Sequence, residues 1–153
     1  RSYWNGNVWT STFIRLGTNG AVNTNAATYV AYLWSEVAGF SKFGSYTGNG
    51  SSDGPFVYCG FRPRWIMVKA SSSSGDWQLI DAPRQNYNQG SSISNQLRPN
   101  SSAEEASAGA YQIDILSNGF KDRTGSSTNW NSSGVTYIFA AFAESSFKFS
   151  LAR

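Results

Sequence analysis

Phe43-Gly-Ser-Tyr-Thr-Gly-Asn-Gly-Ser-Ser-Asp-Gly-Pro-Phe-Val-Tyr-Cys-Gly-Phe-Arg-Pro-Arg-Trp-Ile-Met-Val-Lys69 is the stretch on which the reading of this chain turns. Five glycines, a Gly-Pro and an Arg-Pro leave no room for a long helix. Pro55 and Pro63 fix φ and remove amide donors, and Gly48, Gly50 and Gly54 permit sharp corners. The runs 56–61 and 65–69 are rich in the aromatic and β-branched residues that suit a pleated surface. The stretch predicts strand, tight corner, strand, and with it an antiparallel β protein.

Working outward, residues 1–28 alternate short apolar pieces with turn chemistry, Asn5-Gly6 and Asn19-Gly20 being hairpin signals. Residues 29–36, Tyr-Val-Ala-Tyr-Leu-Trp-Ser-Glu, are almost continuously apolar. They read as a strand covered on both faces, with a two-turn helix as the competing reading. Beyond the central stretch, 76–81 and 111–116 have strand character, and Ser117-Asn118-Gly119 closes the latter with a turn. Residues 137–144 form the last strongly apolar strand, and 147–153 read as a short terminal one.

Residues 29–36 align without gaps on 137–144, Tyr-Ile-Phe-Ala-Ala-Phe-Ala-Glu, each preceded by Thr. Upstream of each lies a short strand-like piece ending in Asn-Gly, 13–20 and 113–119. The expected architecture is therefore all-β: one antiparallel β-sandwich of the jelly-roll or lectin-like kind, over 1–153, with two echoed half-domains.

Composition narrows the function classes. Charged residues make up 14% of the 153, against about 25% in an average soluble domain. Neutral hydrogen-bonding groups must cover the surface, as is common outside cells and in large assemblies. The net charge of +3 is spread thinly, with no basic run to track phosphates, so nucleic acid is not an expected partner. No apolar run approaches the roughly 18 residues of a membrane helix, and membrane insertion is not expected. The chain begins with Arg1, which reads as a piece of something longer.

Chemistry has few candidates. Histidine is absent, which removes most triads, most zinc sites and the commonest general base. Cys59, in an apolar run, reads as a buried, inert thiol. Glu36 and Glu144 end the echoed strands and offer a carboxylate pair for glycosidase-type work. The plainer reading pairs them with Lys42 and Lys148. The loop 49–54 carries oxygen ligands at glycine spacing but lacks the acidic positions of a calcium loop. Asn100-Ser-Ser and Asn131-Ser-Ser fit the glycosylation pattern. No catalytic residue, metal or cofactor is assigned.

Aromatic residues in polar loops carry the better lead. Trp130 between Asn129 and Asn131 has the form that stacks a sugar ring on an indole while neighbouring amides bind hydroxyls. Trp77 and Tyr87, the latter between Asn86 and Asn88, are similar. The competing reading makes each a loop anchor in the core or against a neighbouring subunit. The loops 84–102 and 124–134 are the expected binding excursions.

The wording of residues 29–58, Gly60-Phe-Arg-Pro63, 65–69, Leu116-Ser-Asn-Gly-Phe-Lys121, 137–144 and the ending 147–153 resembles an uncharacterised domain family of tailed-phage virion proteins. Such domains stand at the C-terminal end of tail-fibre or related structural proteins. Cys59, where a small polar residue such as Thr is expected, is a minor departure. The resemblance implies a virion location, a homo-oligomer of trimeric form, contacts with other virion proteins, and a lectin-like tip that meets a host-surface glycan. A purely structural decoration or filament module and a polysaccharide depolymerase are the rival expectations.

Overall fold

A computed structural model describes residues 12–84, 95–105 and 112–143. The chain divides into two units, Arg1–Trp34 and Ser35–Arg153.

In the first unit the described residues form one helical turn, α1 (Gly20–Asn23), a single β-bridge position at Leu16, and otherwise irregular chain. Asn19 stands in an extended conformation, and its side chain accepts the Ala21 N–H at 2.9 Å. That bond makes Asn19 an N-cap, because a short amide side chain replaces the helical acceptor that the first turn lacks. The expected strand and hairpin turn over 13–20 are therefore corrected to a single bridge position at Leu16 and a capped turn. Residues 29–36 are corrected as well, for they lie in no strand or helix and expose Val30, Tyr32, Leu33 and Trp34. An apolar run signals a need for cover without saying what supplies it. The echo with 137–144 is thus one of sequence and not of structure.

All seven described strands belong to the second unit: β1 (Ser41–Thr47), β2 (Phe56–Tyr58), β3 (Pro63–Ala70), β4 (Gln78–Asp81), β5 (Ile113–Leu116), β6 (Gly119–Asp122) and β7 (Thr136–Ala143). They build two antiparallel sheets, one ordered β1-β7-β3-β4 and one ordered β2-β6-β5. The protein is an all-β sandwich, as its turn chemistry predicts.

The stretch 43–69 turns out to commute between the sheets. It leaves β1 in the larger sheet, crosses through residues 48–55 to β2 in the smaller one, and returns to β3. The corner needs its glycines for close backbone approach. A Cβ on Gly48 would lie 2.3 Å from the Ser132 carbonyl oxygen, and one on Gly54 would lie 2.5 Å from that of Asp122.

The core forms where the inward faces meet. Period-two alternation sends Ile66, Val68 and Ala70 of β3 inward with Tyr137, Phe139 and Ala141 of β7. Val57, Ile113, Ile115 and Phe120 answer from the smaller sheet. The Phe120 ring meets the Phe139 ring edge-on at 5.6 Å and that of Tyr46 at 6.1 Å, so it ties the layers together. Each fully buried aliphatic or aromatic side chain contributes about 1.5–3 kcal/mol relative to exposure.

The outer face of the larger sheet is apolar too. Phe142 makes edge contacts with Phe40, Phe43 and Trp65 at 5.9, 5.8 and 5.4 Å. Met67 and Leu79 stand opposite one another on β3 and β4.

Candidate functional site

The predicted sugar platform at Trp130 does not form. Its side chain is fully buried, and its Nε1 donates to Gln96 Oε1 at 3.2 Å. Asn131 is buried beside it, and both ends of its amide are engaged inside the protein. Its Nδ2 reaches the carbonyls of Ser51 and Thr124 and the Asn49 side chain, while its Oδ1 accepts the Asn49 N–H. A side chain so buried and so bonded does not present its amide to a sugar. The pair is a plug that holds the 48–54 corner to the 124–134 loop. The correction has a simple cause: the flanking amides serve backbone groups of the corner, not solvent.

Asn129 behaves differently, since its side chain accepts the Asp76 N–H at 3.3 Å and so brings the 124–134 loop to the approach of β4. Next to Asp76 stands Trp77, half-buried. Two expected site residues, Trp77 and Asn129, therefore lie close together, whereas Tyr87 falls outside the described residues.

Around Trp77 the surface forms a shallow, open depression of about 280 Å³, lined by Met67, Trp77, Pro99 and Asn100. Three segments build it. β3 supplies Met67 from its outer face, the lead into β4 supplies Trp77, and the return of the 84–102 excursion supplies Pro99 and Asn100. That return is pinned by a reciprocal backbone pair, Leu79 with Leu97, both bonds at 2.9 Å.

The rim is polar. Asn100 Oδ1 accepts the Trp77 N–H at 2.9 Å, and Asn100 Nδ2 donates to Asp76 Oδ1 at 2.9 Å. Arg98 Nε faces Asp76 Oδ2 at 3.8 Å, too far for a hydrogen bond, and this buried nitrogen has no hydrogen-bond partner. An indole and a thioether for the floor, with amide, carboxylate and guanidinium at the edge, suit an amphipathic ring bearing hydroxyls. Arg98, Pro99 and Met67 carry no signal of their own in the sequence, and Asn100 stands out only as a glycosylation match; the polar character of the 84–102 loop points towards the three that lie in it.

A family model described as "Domain of unknown function (DUF7483)" matches residues 1–146, a span that includes all seven strands and the depression. The chain belongs to the DUF7483 family. No curated protein and no solved structure matches it.

Other groups of this DUF7483 domain have structural partners. The Glu36 carboxylate accepts from Lys42 Nζ at 2.7 Å, and this contact, helped by the Phe43 N–H, holds its pKa below the usual range. A carboxyl so held is a poor proton donor for glycoside cleavage. Its expected companion, Glu144, lies outside the described residues with Lys148. Asp53 sits 2.7 Å from Lys121 and 3.5 Å from Arg123, and its pKa is likewise lowered, chiefly by Lys121. With two cations on its one carboxylate, the 49–54 loop is poorly suited to a metal ion. Cys59 is buried, and burial pushes its thiol up to about 11, as befits an inert side chain.

Asp122 is the exception. It is fully buried, one oxygen accepts the Thr124 N–H at 2.7 Å, and the other has no partner. Burial pushes its pKa up to about 7 against the opposing pull of Thr124.

Proposed function

We propose that this DUF7483 domain is a non-enzymatic structural domain of a phage fibre or appendage that contributes to host attachment by binding a surface glycan at the Trp77 depression. The observation that carries the reading is the half-exposed indole of Trp77 set between Met67 and Pro99, beside the Asp76–Asn100–Arg98 rim. An indole face takes the apolar face of a pyranose, and the rim has spare capacity for hydroxyls. Asn100 Nδ2 spends one of its two N–H groups on Asp76, and the partly exposed Arg98 side chain brings a guanidinium to the edge. The low charge of the chain and the resemblance of its wording to phage virion domains support the location in a virion.

The test is an array of bacterial surface polysaccharides probed with the wild-type chain and with Trp77→Ala. Binding by the first and its loss in the second is the expected result. No binding by either, or equal binding by both, overturns the reading.

A second reading, a decoration or filament-forming module that assembles with itself as a homo-oligomer and with other virion proteins, draws on a different observation. Residues 29–34 expose large apolar side chains in succession. A trimer is the expected form, and native mass spectrometry of the purified chain tests it.

A further inference from the structure

Val30 is 75% exposed, Tyr32 75%, Leu33 71% and Trp34 61%. Exposure of single apolar side chains is ordinary, but a contiguous run of this size marks an interaction surface. The rings of Tyr32 and Trp34 stack at 6.3 Å, 20° from parallel. A spacing of two residues that puts both on one side is that of an extended chain. The segment carries this strand-like spacing without belonging to a strand.

Its side chains are those of a strand with two neighbours. Residues 29–36 align on 137–144, and of these Tyr137 to Ala143 lie in β7, flanked by β1 and β3. β1 therefore already accepts this pattern along one of its edges. Its opposite edge has no strand neighbour among the described residues. The Ala143–Phe40 and Gly48–Val135 bonds set the register, in which even-numbered residues of β1 bond to β7. Phe43, Ser45 and Thr47 consequently aim their backbone groups outward. Glu36 takes the Phe43 N–H. The backbone groups of Ser45 and Thr47 have no strand partner among the described residues.

A hairpin ladder starts at Val37 and Ser41, then ends, because side chains occupy the next positions. Ser41 Oγ accepts the Val37 N–H at 2.9 Å and donates to the Ser35 carbonyl at 3.0 Å, while Glu36 caps Phe43 and binds Lys42.

We propose that residues 29–34 of one molecule add as a strand to the edge of β1 opposite β7 in a second copy of this chain. Main-chain bonds from Ser45 and Thr47 supply the pairing, and the apolar side chains of the arm gain cover on both faces. The inference rests on the homo-oligomeric assembly proposed above and names its mechanism.

The test uses a photo-cross-linking benzoylphenylalanine at Tyr32 in an equal mixture of light and heavy isotope-labelled chains, together with native mass. The expected product joins light to heavy copies through the peptide that holds Ser45 and Thr47, and Leu33→Ser with Trp34→Ser returns the protein to the 16.7 kDa mass of one chain. Cross-links confined to a single copy, or to another peptide, with the oligomer intact, overturn the arm and leave assembly standing. A wild-type chain of single mass overturns both.

Discussion

Asn49 and Asn131 clasp each other across 82 residues of chain: the Asn49 N–H donates to Asn131 Oδ1 at 2.8 Å, and Asn131 Nδ2 reaches Asn49 Oδ1 at 3.2 Å. The same Nδ2 also serves the Ser51 and Thr124 carbonyls. One buried amide thus replaces a stretch of ladder at the point where the chain changes sheets. Asn131→Ala leaves a buried carbonyl and an amide without partners, and should lower stability by about 2–4 kcal/mol. Urea unfolding followed by far-UV circular dichroism measures it. Asn131→Asp should be at least as harmful, because a carboxylate cannot donate to three carbonyl-type oxygens.

Gly54 makes the corner possible from the other side. A methyl group there would meet the Asp122 carbonyl oxygen at 2.5 Å and the Asn131 amide nitrogen at 3.0 Å. Backbone must move to admit it. Gly54→Ala should cost about 1–3 kcal/mol, whereas the same change at Gly125, where nothing lies within 4 Å of the new atom, should cost far less.

Asp122 gives the protein a pH dependence with a defined sign. Its carboxyl titrates at about 7 when folded and near the ordinary 3.8 when unfolded. Between these values the folded chain holds a proton that the unfolded chain has lost, so stability falls as pH rises. The contribution is complete below about pH 4 and gone above about pH 7, a change on the order of 4 kcal/mol at most. Asp122→Asn keeps an oxygen for the Thr124 N–H and removes the charge. Its melting temperature should stay nearly level from pH 4 to pH 7 while the wild type declines.

Much of the sandwich is readable in the chain because its signals are local. Ser117-Asn118 turns β5 into β6 with Leu116 opposite Gly119, as turn chemistry predicts. The alternation of β3 also places Ile66 and Val68 in the core without help from distant residues. Strand order is not local, and nothing in 43–69 announces that β2 pairs with β6 or that β7 enters between β1 and β3. Residues 29–34 and 137–142 carry one pattern and meet opposite fates, which only the neighbours decide. The same holds for the candidate site. Trp130 and Trp77 both sit in polar loops, but the first meets Gln96 inside and the second meets Asn100 at the surface.

Asn100 sets the shape of the proposed site through its bonds to the Trp77 N–H and to Asp76. Asn100→Ala frees the Asp76 carboxylate and loosens the rim while leaving the indole in place. Affinity for a bacterial surface polysaccharide should fall by about 5- to 20-fold, the effect of one or two hydrogen bonds, read by isothermal titration. Asn129→Ala, which removes the acceptor for the Asp76 N–H, should act in the same direction and more weakly.

The most direct test of glycan binding at the Trp77 depression is a titration of tryptophan fluorescence with bacterial surface polysaccharides, run on wild type and Trp77→Ala. The account predicts saturable quenching in the wild type and its loss in the variant, with the buried Trp130 signal and the far-UV spectrum unchanged. Quenching of equal size and midpoint in both proteins, or none in either, would contradict it.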